Sequence, residues 1–344
     1  MPVDFERGAK TTGAKFYFTT GDEARQEWDL ISRMLAYHQA NGYTFVIPPY
    51  LVRRQTAEWA GILPRFEGDF YLTTDDLVLI PTAETALVGM HAQEIIPDEQ
   101  LPLKYVAFSP CFRREAGAGG KRDKGLRRVH QFHKVELFVI CKPQDSERLH
   151  QEMLAQVQAL MDALGVTHRT VELPEHDRSP VSAKTYDVEL QCGEEWLEVS
   201  SISNTEARQS GPALIRYKER NQGKTIRCHM LNGSGVALPR LLLAVNDGSR
   251  QPIMPVKQPT VPAEDATIER ELWAGDQANT QHEERAAREL YRRRLRIEKL
   301  EAALRPFATM AERNVRADAD DGEGCPIVMS VREMRSAFNA LLQR

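Results

Sequence analysis

The chain has 344 residues, 42% of them hydrophobic and 27% charged, and a formal net charge of -4. These values predict an ordinary globular protein and exclude a global basic field for nucleic acid, so any affinity for RNA must be local. No apolar run approaches the roughly eighteen residues of a membrane span, and MPVDFERGAK lacks the apolar core of a signal peptide. Five scattered cysteines (Cys111, Cys141, Cys192, Cys228, Cys325) form no CxxC pair. They read as reduced thiols, which predicts a cytoplasmic protein.

Taken in chain order, residues 22–40 predict an amphipathic helix, with Asp22 as its cap, Leu30, Ile31, Met34, Leu35 and His38 at helical spacing, and Asn41-Gly42 as its end. YTFVIPPYLV predicts a short strand broken by Pro48 and Pro49, which confines it to an edge or an interface. YLTTDDLVLIP, KYVAFSPCF, HKVELFVICK and EEWLEVSSIS read as strands, and residues 145–165 as a second amphipathic helix. Strands follow strands more often than they alternate with helices, so the expected class is α+β, an antiparallel sheet flanked by helices. We expect a catalytic domain over 1–255, a Pro-rich linker over 256–279, and a helical extension over 280–344. In that extension Leu290, Ile297 and Leu304 recur every seven residues, and Arg292, Arg293, Arg294 and Arg296 are interleaved with acids, which favours a solvated face over an RNA contact.

The densest chemistry lies in FRREAGAGGKRDKGLRRVHQFHKVELF, residues 112–138. Seven residues between Arg113 and Arg128 are Lys or Arg, and four are Gly. If the flanking strands pair, Arg113 and Arg114 meet Arg127 and Arg128 at one end, and guanidinium forks match phosphate oxygens. On the second strand Phe132, Lys134 and Glu136 share a face with Arg128 and His130 by the period of two. That combination suits a nucleotide beside an amino acid. The alternative is a charged, solvated hairpin.

The same stretch resembles motif 2 of the class II aminoacyl-tRNA synthetases, in the form of the bacterial seryl-tRNA synthetases. IPTAETAL, WLEVSSISN, CHMLNGSGVALPRLLLAV (similar to motif 3) and GYTFVIPPYLV (similar to motif 1) follow the family's order over roughly residues 13–250. The resemblance implies ATP bent over an amino acid on an antiparallel sheet. It implies Arg113 on the α-phosphate, where a fixed guanidinium stabilises developing charge, and Arg240 on the γ-phosphate. Glu115 would meet the adenine amino group, Arg128 the phosphates, and Phe132 the adenine ring. Glu198 and Ser201 would hold Mg²⁺. Thr82 and Glu84 would take the ammonium group of serine, and Glu136, Asn232 and Ser234 its hydroxyl. For Ser234 a turn between Gly233 and Gly235 is the alternative. A homodimer through the Pro48 segment is implied as well.

The pattern departs from the family in four places. The family's N-terminal helical hairpin for tRNA has no counterpart, since the sequence opens at the catalytic domain. The loop before Lys184, Tyr186 and Asp187 reads Glu175-His176-Asp177. Ser210, Gly211 and Pro212 stand where two arginines are expected, and Asp247-Gly248 replaces a Glu-Asn pair. On these grounds we expect an enzyme that activates serine with ATP and passes it to an acceptor other than tRNA, a carrier protein or a small molecule. The alternatives are a serine–tRNA ligase that uses its C-terminal helices on tRNA, and a non-catalytic paralogue. Retention of Arg113, Glu198 and Arg240 counts against the paralogue.

Overall fold

The computed structural model describes residues 3–63, 67–115, 125–219 and 223–245. All of them lie in the unit Met1–Thr260. The expected linker and C-terminal helices, the arginine patch, Cys325, Asp247-Gly248 and the glycines at 117, 119 and 120 lie outside the described residues.

The chain opens with β1 (Val3–Asp4), α1 (Phe5–Thr11), β2 (Phe18–Thr19), α2 (Gly21–Ala40), β3 (Thr44–Val46), β4 (Leu51–Arg53) and α3 (Arg54–Trp59). Next come β5 (Leu77–Leu79), α4 (Ala83–Met90), β6 (Ile95–Pro97), β7 (Leu103–Phe112), β8 (Gln131–Cys141), α5 (Ser146–Ala163), β9 (His168–Glu172), β10 (Lys184–Cys192) and β11 (Glu195–Glu206). β12 (Arg216–Lys218), β13 (Thr225–Arg227), β14 (His229–Ala237) and α6 (Leu238–Val245) complete the described elements.

A seven-stranded sheet in the order β3-β7-β8-β14-β11-β10-β9 forms the platform. Every neighbouring pair is antiparallel except β3 with β7. This is the expected α+β sheet, with β3, ahead of the two prolines, at its edge as expected. One face is sealed by the helices: Leu30, Ile31 and Met34 of α2, Met153, Val157 and Leu160 of α5, and Leu241 of α6 pack on Val135, Leu137 and Val139 of β8 and on Val199 and Ile202 of β11. Each such buried side chain contributes about 1.5–3 kcal/mol of transfer free energy. The opposite face of β8 divides. Phe138 and Ile140 lie under Ala83, Leu87 and Val88 of α4, while Phe132, Lys134 and Glu136, on the same face by the period of two, stay polar. The sheet is therefore greasy at one end and charged at the other, and the charged end is where a ligand fits.

Several local expectations change. Thr20, not Asp22, occupies the cap position of α2; Asp22 sits in the first turn, where its charge favours the helix dipole. YLTTDDLVLIP is not one strand. Thr73 N–H bonds to Leu77 O (2.9 Å), its hydroxyl accepts from Leu77 N–H (3.0 Å), and Asp76 adopts φ 61°, so TTDD turns the chain. β8 begins at Gln131. Arg127 and Arg128 precede it, in and just after a 3₁₀ turn (Gly125–Arg127) that pins Leu126 in the interior and needs Gly125 at φ 66°.

Candidate active site

β7 and β8 pair from Leu103 with Ile140 to Phe112 with Gln131, so the arginines on either side of the basic loop do come to one end. Arg113 N–H bonds to His130 O (2.9 Å), and Arg113 Nε donates to Pro81 O (3.4 Å). Its guanidinium lies 5.3 Å from the centroid of the Phe132 ring, a cation–π contact that holds a flexible side chain in place. Glu115, at φ 49°, forms an ion pair with Arg128.

Arg240 enters from α6, three residues after the end of β14. Its Nη1 donates to Glu198 O (2.7 Å) and lies 3.5 Å from the Glu198 carboxylate, and its Nε donates to Arg127 O (3.3 Å). Arg127 pairs with Glu195 at 2.7 Å. Arg113, Glu115, Arg128, Phe132, Glu198, Ser234 and Arg240 all line one open cleft, joined by Arg127 and Lys134. Two guanidinium groups from strand ends more than a hundred residues apart thus face one space. Ser234 is not in a turn: it lies on β14 opposite Glu136, with a register shift just beyond it at Gly235.

Ser201 lies next to this cleft, not in its lining. It sits opposite Asp187 on β10 and hydrogen-bonds to it. Glu198 and Ser201 are three apart, a spacing that places them on opposite faces of a regular strand. A bulge rescues them: Val188 pairs with Ser200 and Glu189 with Glu198, leaving Val199 as the extra residue. Both then face Asp187. Burial, and after it the Glu198 carboxylate, push the Asp187 carboxyl up to about 6, against the pull of Ser201 and Arg240. Asp187 Oδ1 is buried with no hydrogen-bond partner among the described residues.

The expected amino-acid residues form an adjoining cluster. Thr82 caps α4 (its hydroxyl accepts from Glu84 N–H, 3.3 Å) and donates to Glu136 Oε2 (3.1 Å). Lys134 forms a buried ion pair with Glu136, the two side chains being 7% and 2% exposed. Asn232 Nδ2 donates to Glu84 Oε1 (2.9 Å), and Gln209 Nε2 donates to the same oxygen (2.5 Å). Burial first, then the Glu136 carboxylate, raise Glu84 to about 7; Gln209, Lys134 and Arg113 oppose the rise. Thr82 and Glu84 of α4 and its cap, Glu136 of β8 and Asn232 of β14 thus meet, with Ser234 opposite Glu136 and in the cleft lining. Sequence reasoning placed Arg127 among the phosphate-matching arginines and Lys134 on the ligand face without a specific partner, named Asp187 without a role, and missed Gln209. The alternation of Phe132, Lys134 and Glu136 is the signal for Lys134; no local pattern signals Gln209.

Two departures have structural explanations. Ser210 is buried and donates to Cys228 O, and a Cβ at Gly211 would lie 2.7 Å from Ala207 O, so this stretch is a tight turn in the wall beside Gln209. The Glu175–Asp177 turn leads into a loop held by two arginines. Arg178 Nε donates to Leu173 O (2.7 Å) and its Nη1 to Ala183 O (2.5 Å), and Arg208 donates to Ser182 O (2.8 Å).

Residues 70–248 match the tRNA synthetase class II core domain (G, H, P, S and T). A serine–tRNA ligase of Methylacidiphilum infernorum is 46% identical over 247 residues, 71% of this chain and 58% of that protein. One from Caldicellulosiruptor bescii is 45% identical over 252 residues, 72% of this chain and 60% of its own. Among solved structures, seryl-tRNA synthetase from Pyrococcus horikoshii complexed with ATP superposes with a TM-score of 0.70 at 39% identity, covering 72% of this chain and 56% of that one. The chain spans about three-fifths of the length of the curated relatives it matches. These relatives overturn the expectation of an acceptor other than tRNA: the proteins that share this site's sequence are named for ligation of serine to tRNA.

Proposed function

The chain belongs to the tRNA synthetase class II core domain family, and from that premise we propose that it is the catalytic part of a serine–tRNA ligase. ATP and serine react in the cleft, and tRNA accepts the product. The observation that carries this reading is the convergence of Arg113 and Arg240 on one cleft beside the Thr82, Glu84, Glu136 and Asn232 cluster. The serine carboxylate attacks the α-phosphorus, the bond to the β-phosphate oxygen breaks, and pyrophosphate leaves. Arg113 faces the charge that builds on the α-phosphate, and Arg240 the far phosphates, each already held before ligand arrives. Glu115 and Phe132 take adenine, with Arg128 on the phosphates. Glu84 and Thr82 hold the ammonium group, and Glu136, Asn232 and Ser234 hold the hydroxyl. An alanine would leave those buried groups unpaired, which is the basis for rejecting it.

Mg²⁺ fits the carboxylate of Glu198 and the hydroxyl of Ser201, with the unpartnered Asp187 oxygen behind them, since hard oxygen donors suit it and it supplies neutralisation of phosphate charge. The exposed Ile47, Tyr50 and Leu51 around Pro48 and Pro49 support a homodimer through this segment. The buried thiols of Cys111, Cys141 and Cys228 support a reducing, cytoplasmic setting. Among the described residues no helix is long and apolar enough to cross a membrane. The test is pyrophosphate exchange with ATP across all twenty amino acids, followed by labelled serine with total tRNA. Serine-dependent exchange and labelled tRNA are expected; absence of exchange with every amino acid would sink the proposal.

A further inference from the structure

Gln209 is wholly buried, lies outside the cleft and carries no charge, yet every polar atom of its side chain is committed. Its Nε2 donates to Glu84 Oε1 (2.5 Å) and to Ala60 O (3.0 Å), and its Oε1 accepts from the Thr205 hydroxyl (3.1 Å). Thr205 in turn is fixed by donation to Met230 O (2.9 Å) on β14. The amide is therefore held by the end of α3 and by Thr205, four residues earlier at the end of β11 and itself tied to β14, with one N–H aimed at a carboxylate. We propose that Gln209 is a positioning residue for substrate ammonium recognition: by saturating Glu84 Oε1 together with Asn232, it turns the other oxygen of Glu84 toward the ligand and keeps this carboxylate ionised. This rests on the reading of Glu84 as the serine-ammonium residue.

The electrostatic setting gives that role its purpose. Glu84 faces a second carboxylate, Glu136, with Lys134 and Arg113 as the cations on the same side and the Cys111 thiol behind them. Burial and Glu136 favour the protonated form, which offers an ammonium group no charge. Oε2 of Glu84 takes no hydrogen bond from the described residues, whereas Oε1 takes two. A neutral amide is the donor that leaves local charge unchanged: a lysine at 209 would compete with the incoming ammonium, and a glutamate would repel Glu84.

The test uses two variants of the full chain, Gln209→Glu, which keeps the shape, and Gln209→Met, which keeps the volume and removes donors and acceptor. Glutamate side-chain carboxyls are labelled with ¹³C, Glu84 is assigned by Glu84→Gln, and its titration is followed by NMR. The wild-type midpoint is expected near 7, and both variants are expected to move it upward by about one pH unit, the scale of one hydrogen bond to a charged group. The acid limb of kcat/KM for serine in pyrophosphate exchange moves with it, and KM for serine rises about tenfold or more while KM for ATP stays within about twofold. An unmoved Glu84 midpoint in a folded variant overturns the proposal and makes Gln209 a packing residue. A shifted midpoint in a protein that exchanges with no amino acid keeps the role of Gln209 and removes serine from the site. If one variant fails to fold, the other decides.

Discussion

Replacing Lys134 by Met gives the most direct readout of how this site is held. The ammonium group is paired with Glu136 where both side chains are almost sealed from water, 7% and 2% exposed. Met fills the space of the stem and removes the charge, leaving Glu136 beside Glu84 with the Thr82 hydroxyl (3.1 Å) as its remaining donor among the described residues. Orphaning one partner of a buried pair costs about 3–5 kcal/mol. The retained hydroxyl is worth about 1 kcal/mol, which sets the expected loss at about 2–4 kcal/mol. For a domain of this size that is a fall in Tm of about 10 °C. Urea unfolding followed by tryptophan fluorescence, checked by calorimetry, measures it. Adding Glu136→Gln to the same chain should recover at least half the loss, because the unpaired charge is then gone. A loss below about 1 kcal/mol, or a double variant no better than the single, refutes the view that the pair is a tightly coupled unit.

Other perturbations separate chemistry from scaffold. Arg113→Ala should lower serine-dependent pyrophosphate exchange by about a hundredfold or more while far-UV circular dichroism stays unchanged; near-normal exchange removes Arg113 from the reaction. His38 is fully buried, neither ring nitrogen has a hydrogen-bond partner among the described residues, and burial depresses it to about 4 from the usual 6.5. Its folded value is below its unfolded one, so the native state refuses a proton that the unfolded chain accepts. Stability is then lost as pH falls from about 6.5 to about 4, to a total of about 3 kcal/mol. His38→Phe should flatten that window in urea titrations, and an unchanged slope argues against the assignment. Gly235→Ala should cost about 1–3 kcal/mol, because its Cβ would lie 2.9 Å from Val135 Cγ1 and 3.3 Å from the same His38 ring; a neutral result in thermal melts means Val135 can give way.

What the sequence disclosed follows from how local each signal is. α2, α5, β7 and β8 announce themselves through periodicity that the sheet and its core then use. The residues of the cleft were legible for a different reason: Arg113, Phe132, Glu198 and Arg240 each sit in a short segment whose order resembles a known family. β9 and β10 went unread because HRTVE and KTYDVELQC mix charges into strands at one side of the sheet, where alternation is weak. Gln209 was illegible in principle. Its importance lies in three partners, Ala60, Glu84 and Thr205, two of them more than a hundred residues away. The expected acceptor other than tRNA rested on segments without a counterpart in the sequence, and the relatives named for ligation of serine to tRNA overturn it.

The extra residue at Val199 has a consequence for how β11 can change over time. Because Val199 stands outside the ladder count, Glu198 and Ser201 are in phase by virtue of an offset of one position in the strand. The phase therefore rests on the bulge and not on length: a change that let the ladder absorb Val199 would turn one of the two oxygen donors through to the helix-packed side, whereas loss of one residue between 198 and 201 would leave them two apart and in phase on a regular strand. Descendants of this chain should show either the extra residue with its bulge or a regular strand one residue shorter.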